Sequence, residues 1–183
     1  MRPPSPGPWR VFLSHTSELR QYPSGGSYID KAERAISAAG HVVVDMRDFP
    51  SIDEAPAQVC IDRVKGCDVY VGIYGTRWGS QVRGQPKVSY TELEFDTATK
   101  GGERPIERLV FLLDEEAENP GIPPKWLNDP THGERQLAFL RKVNDAGLSL
   151  QKFANPDQLS QLVERSLQEL AAESIPAGPP ARR

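Results

Sequence analysis

Apolar and polar positions along this chain alternate between two periods. Short continuous apolar runs recur at Arg10–Ser14 (RVFLS), His41–Asp45 (HVVVD), Asp68–Tyr74 (DVYVGIY), Glu107–Leu113 (ERLVFLL) and Leu148–Phe153 (LSLQKF). Their length and β-branched content predict strands buried on both faces, with the fifth at an edge. Between them apolar residues fall at helical spacing: Tyr28, Ile29, Ala32, Ala35, Ile36 and Ala39 up to Gly40, then Ala57, Cys60, Ile61 and Val64. A third helix is predicted from Ser89 to about Lys100 and a fourth from about Glu134 to Asn144. A fifth, over Asp157–Ala172, lines up Leu159, Leu162, Val163, Leu167 and Leu170 on one face. The polar segments at 15–26, 46–56, 75–84 and 114–130 read as loops.

Strict alternation of strand and helix predicts an α/β fold, because parallel strands need crossovers and those crossovers are right-handed. The expectation is a flavodoxin-like three-layer sandwich: a five-stranded parallel sheet with helices on both faces. Ligands of such folds bind beyond the carboxyl ends of the strands, where strand order reverses. The loops after the first three strands are therefore where chemistry is expected.

Length and charge narrow this picture. The 183 residues suit one domain. Residues 1–9 are expected to be a disordered Pro-rich leader, 10–173 the domain, and 174–183 a Pro-rich linker or tail. A net charge of -3 with scattered Lys and Arg offers no positive stripe, so no nucleic-acid partner is expected. No apolar run approaches the roughly 18 to 20 residues that span a bilayer, and the N-terminus lacks the apolar core of a signal peptide. A cytoplasmic protein with no membrane partner is the expectation. Cys60 and Cys67 read as buried free thiols, and His15, His41 and His132 lie too far apart in sequence for a structural metal.

Polar residues collect at three strand ends: Ser14, His15, Thr16 and Ser17; Asp45, Arg47 and Asp48; Tyr74, Arg77 and Trp78; Ser89 opens the third helix. Each alone is an ordinary loop residue, but the fold brings these loops to one sheet edge. The third helix adds a sharper signal. At about 100° per residue, Tyr90, Leu93, Glu94, Thr97 and Ala98 share one side, while Glu92 and Asp96 take the other. A carboxylate on an apolar face must be paired, bound to a ligand or shifted in pKa. Glu94 is thus either a structural partner of Arg47 or Arg77, or an acid at the rim of a cleft. In the second role it would stabilise positive charge developing on a ribose ring, with Trp78 as a flat wall for a nicotinamide or adenine ring.

Phosphate-cradling GxxxxGK[ST] and GxGxxG loops are absent, as is a GxSxG elbow, which disfavours P-loop NTPases, dinucleotide-dependent dehydrogenases and serine hydrolases. The segments Val11–His15, His41–Asp53 and Asp68–Trp78, followed by Ser89-Tyr90-Thr91-Glu92-Leu93-Glu94, resemble the first strand, second strand with its loop, and glutamate-bearing helix of TIR (Toll/interleukin-receptor-like) domains. More closely, RVFLS, YGTRWG and SYTELE resemble a divergent bacterial TIR-like group found at the N-terminus of multidomain signalling ATPases. The resemblance covers about residues 10 to 170. Glu94, followed by Ala98, also resembles the Glu-x-x-x-Ala pattern of nucleoside deoxyribosyltransferases.

The resemblance implies a signalling or defence effector that hydrolyses the nicotinamide–ribose bond of NAD, with activity promoted by self-association. It implies Glu94 as the catalytic carboxylate, with Glu92 as the alternate, and Ser14, His15, Asp45, Arg47, Asp48, Tyr74, Arg77, Trp78 and Ser89 around the substrate. No cofactor or metal is implied, NAD being the substrate, and further domains are expected in the full-length protein. Two other readings stay open: a non-catalytic TIR-type interaction module that associates through the loop around Asp48–Pro56, or a nucleoside or nucleotide N-glycosidase.

Overall fold

The computed structural model describes residues 7–45 and 57–174. Five strands, β1 (Arg10–His15), β2 (Val42–Val44), β3 (Val69–Tyr74), β6 (Glu107–Leu113) and β7 (Leu150–Phe153), pair in parallel in the order β2-β1-β3-β6-β7. Strand order reverses between β1 and β3, since β2 is laid on one side of β1 and everything later on the other. The arrangement is the α/β flavodoxin-like sandwich that the alternating pattern predicts.

Period-two alternation sorts the strand residues between two cores. Val11, Leu13, Val69, Val71, Ile73, Phe111 and Phe153 face α2 (Tyr28–Ala38) and α6 (Pro156–Ser174). Phe12, Tyr70, Tyr74 and Val110 face α3 (Ala57–Lys65), α4 (Tyr90–Lys100) and α5 (Gly133–Asn144). All six residues of β3 are buried, as befits the middle of a sheet covered on both sides. Helix α2 begins where a capping box can form: Ser27 Oγ accepts from the Asp30 N–H at 3.1 Å, and Asp30 accepts from the Ser27 N–H at 3.3 Å.

Four features differ from the pattern-based expectations. A short helix, α1 (Ser17–Gln21), occupies the predicted loop after β1, with Leu19 fully buried. The Gly-rich segment after β3 holds an antiparallel hairpin, β4 (Gln81–Val82) and β5 (Gln85–Ser89), which turns at Gly84 with φ +78°. Strand β2 is an edge strand with Val42 55% exposed, so it is not covered on both faces. Trp9, placed by sequence in the leader, is buried and stacks on His41 with ring centroids 4.5 Å apart. The expected loop 114–130 also contains a 3-10 turn at Pro124–Trp126. Among the described residues no helix is long and apolar enough to cross a membrane.

Candidate functional site

Beyond the carboxyl ends of β1 and β3, at the reversal of strand order, the surface opens into a cavity of about 600 Å3. The β1–α1 segment contributes His15, Thr16, Glu18 and Arg20, and Asp45 follows β2. Arg77, Gly79 and Ser80 come from the segment after β3, Tyr90, Thr91 and Glu94 from α4, and Asp129, Thr131 and His132 from the approach to α5.

Helix α4 is started by Ser89, whose hydroxyl accepts from the Glu92 N–H at 3.1 Å. Its buried residues include Thr91, Glu94, Phe95 and Ala98. The inward face is therefore turned from the predicted one, leaving Tyr90 and Leu93 half-buried. Phe95 explains the turn: it packs edge-on to Tyr70, Tyr74 and Phe139, with centroids 6.4, 6.5 and 5.8 Å away. Glu94 still points inward, 5% exposed, and Glu92 points away to Lys142 of α5 at 3.1 Å. Lys142 also binds Asp96 at 2.6 Å. Glu92 is thus a strut between α4 and α5.

Glu94 sits at the cavity floor. Ser14 Oγ donates to its Oε2 at 2.5 Å, across 80 residues of sequence, and the Cys60 thiol of α3 reaches its Oε1 at 3.7 Å. Burial pushes the Glu94 carboxyl up to about 8; the Ser14 and Cys60 hydrogen bonds pull the other way, and nearby Asp45 adds to the rise. At pH 7 the empty site therefore holds Glu94 about nine-tenths protonated. Beneath Ser14 lie two fully buried tyrosines of β3, Tyr70 and Tyr74, whose hydroxyls are 2.6 Å apart. They fit because Gly72, paired with Ser14 across the sheet, has no side chain. A Cβ there would stand 2.5 Å from the Tyr74 hydroxyl.

The walls are charged. Arg20 binds Asp45 in a short ion pair and Glu33 at 2.8 Å. His15 Nε2 lies 3.3 Å from both Asp45 and Arg20, with Nδ1 3.1 Å from the Thr16 carbonyl. Glu18 is buried and raised by that burial, although the Thr16 hydroxyl donates to it at 2.6 Å and Arg77 and His15 oppose the shift. For Asp129, burial is outweighed by N–H donors from Trp78, His132 and Thr131 at 3.1, 2.9 and 3.3 Å, so its carboxyl is held below the usual range. Arg77 donates to the Asn128 carbonyl at 3.0 Å and lies over the Trp126 ring at 5.0 Å.

Of the residues singled out by sequence, Glu94, His15, Asp45 and Arg77 line this cavity. Arg47 and Asp48 lie outside the described residues. Ser14 lies behind Glu94 rather than on the cavity surface, and Ser89 is a buried helix cap. Two placements are corrected. Tyr74 shares the face of Tyr70 and points into the core, because residues four apart on a strand lie on the same side. Trp78 is 1% exposed, held between the His132 ring at 4.7 Å and the Arg135 guanidinium at 5.0 Å, so His132 takes the place in the wall that was expected of it. Sequence reasoning missed Glu18, Arg20, Asp129 and His132. The first two carry a local signal, polar residues one turn beyond a strand end, whereas Asp129 and His132 arrive from some fifty residues beyond Trp78.

A family model described as "Domain of unknown function (DUF4062)" matches residues 10–168. No curated protein matches. Among solved structures the chain is similar to the metal-soaked Flv1 flavodiiron core from Synechocystis sp. PCC6803, with TM-score 0.44 and 13% sequence identity over 89% of this chain and 35% of that one. The chain spans about a third of the length of that structure.

Proposed function

The chain belongs to the DUF4062 family, and from the geometry of its site we propose that it is a TIR-like effector domain hydrolysing the nicotinamide–ribose bond of NAD. The observation that carries this reading is Glu94, a buried carboxylate at the floor of a cavity of about 600 Å3, held by Ser14 at the point where strand order reverses. That volume lies in the range of small-molecule sites. The TIR-like segments RVFLS, YGTRWG and SYTELE supply Ser14, Arg77 and Glu94 to this one region.

In the proposed reaction the bond between ribose C1′ and the nicotinamide nitrogen breaks. Its electron pair goes to the ring, which loses its positive charge, and the sugar becomes oxocarbenium-like. The Glu94 carboxylate stabilises that cation. A water oxygen then bonds to C1′ and sheds a proton, giving nicotinamide, ADP-ribose and H+. Ionisation of Glu94 is coupled to binding, because a cationic nicotinamide ring beside the carboxyl lowers its pKa. His132, backed by Trp78, offers a ring face, and Arg77 offers charge to the diphosphate. Self-association, in signalling or defence, is proposed to raise the activity.

The test is nicotinamide release by wild type, Glu94→Gln and Glu92→Gln, each dilute and tethered into oligomers. Glu94→Gln should abolish turnover, with kcat falling further than KM rises. Glu92→Gln should keep most of it, since that side chain bridges helices. Equal losses in both would remove Glu94 from its role. Base release from nucleosides but not from NAD would make the domain an N-glycosidase, and no release from any assembled form would leave a non-catalytic interaction module.

A further inference from the structure

A carboxyl whose protonation decides its chemistry is sensitive to whatever donates hydrogen bonds to it. The described groups facing Glu94 are few: Ser14 on β1, Asp45 after β2, Cys60 on α3, and Tyr70 and Tyr74 on β3, with Asp96 of its own helix on the far side. Tyr70 and Tyr74 touch no cavity, yet they place two hydroxyls in an otherwise apolar core, 2.6 Å apart and both within hydrogen-bonding reach of Ser14. The space they use exists only because residue 72 is glycine.

We propose that Tyr70 and Tyr74 are positioning residues for Glu94, forming with Ser14 a one-way hydrogen-bond chain that holds the carboxylate form ready. Each hydroxyl has one proton to donate. One tyrosine donates to the other, the second donates to Ser14, and Ser14 donates to Glu94 Oε2, so every proton has an acceptor when Glu94 is ionised. When Glu94 carries the proton, the chain must reverse: Glu94 donates to Ser14, Ser14 to one tyrosine and that tyrosine to the other. The terminal O–H is then left in the core without an acceptor, at a free-energy cost. The chain therefore opposes the effect of burial on Glu94. Cys60 assists from the other oxygen, more weakly, at 3.7 Å. Both tyrosines stay neutral in the relevant range, because burial raises them above the ordinary tyrosine value.

Tyr74→Phe and Tyr70→Phe remove one hydroxyl each and keep the ring contacts with Phe95 and, for Tyr74, with Phe139. The first measurement needs no activity: a 13C carboxyl titration of glutamate-labelled protein, the Glu94 signal being identified by its loss in Glu94→Gln. In either Phe variant its midpoint should move up by about one pH unit, the worth of one hydrogen bond. The second measurement rests on the proposed hydrolase reading: nicotinamide release against pH should shift upward by the same amount and recover the wild-type plateau at high pH. Unmoved midpoints in both Phe variants would overturn the chain, as would a plateau that stays depressed at high pH. If wild type releases no nicotinamide, the hydrolase reading fails, and the carboxyl titration still decides for or against the chain.

Discussion

Replacing Glu94 with Gln should stabilise the protein, by an amount that grows with pH. The folded carboxyl is raised from 4.5 to about 8, so the native state binds its proton more tightly than the unfolded chain does. For a group raised in this way the stabilisation is fully present below the unfolded pKa and is lost as pH climbs through the folded one. Between roughly pH 5 and 8 stability should fall by about 1.4 kcal/mol per pH unit from this group alone, about 4 kcal/mol in all. Glu94 is only 5% exposed, so solvent does little to soften the effect. Gln has nearly the same shape and nothing to titrate. The two proteins share all other ionisable groups, so the difference between them isolates this one. In a chain of 183 residues each kcal/mol is worth about 2 to 4 °C, and the gap in Tm should open by about 8 to 16 °C from pH 5 to pH 9, then level off. Thermal and urea melts of both proteins at half-unit pH intervals measure it. Parallel curves, or a gap that widens toward acid, would show that Glu94 is an ordinary ionised carboxylate and refute the reasoning.

Two further outcomes follow from the same geometry. In steady-state assays kcat/KM for NAD should rise with pH with an apparent pKa of about 8, while the pKa governing kcat should lie lower, because the bound cationic ring favours the ionised carboxyl; coincident or inverted values would contradict this order. Gly72→Ala should cost about 1 to 3 kcal/mol through overpacking against the Tyr74 hydroxyl, although glycine elsewhere in a strand is a liability. In urea denaturation that cost should largely vanish in a Tyr74→Leu background, and a neutral Gly72→Ala would mean the ring yields freely.

The strands and the inward Glu94 were legible because both follow from periodicity that tertiary contacts reinforce. Parity within β3 also held enough to place Tyr74: Tyr70, Gly72 and Tyr74 share a face, and a strand-end tyrosine four residues from a core tyrosine points with it. Reading Tyr74 as a loop residue ignored that. Trp78 was misjudged for a different reason, since its burial depends on His132 and Arg135, whose arrival no local pattern announces. The hairpin escaped because a two-residue strand between glycines has too few positions to show alternation. Helix phase was right for Glu94 and off by a fraction of a turn for its neighbours, because the pull of Phe95 into an aromatic cluster outweighs the intrinsic pattern.

The β4–β5 hairpin has a practical side. Ser80 O accepts from the Tyr90 N–H at 2.9 Å, and Pro86 O accepts from Arg135 at 2.6 Å, so the base of the hairpin is fastened. Its tip, residues 83–87, is exposed, and a side chain at Gly84 would meet nothing within 4 Å. Both native thiols are buried. Arg83→Cys therefore creates a single reactive handle without deleting any cysteine, and a fluorophore attached there rides on the segment joining the cavity wall to the helix that carries Glu94. Pairs of such labels would report when two copies come together, with the carboxylate left as it is.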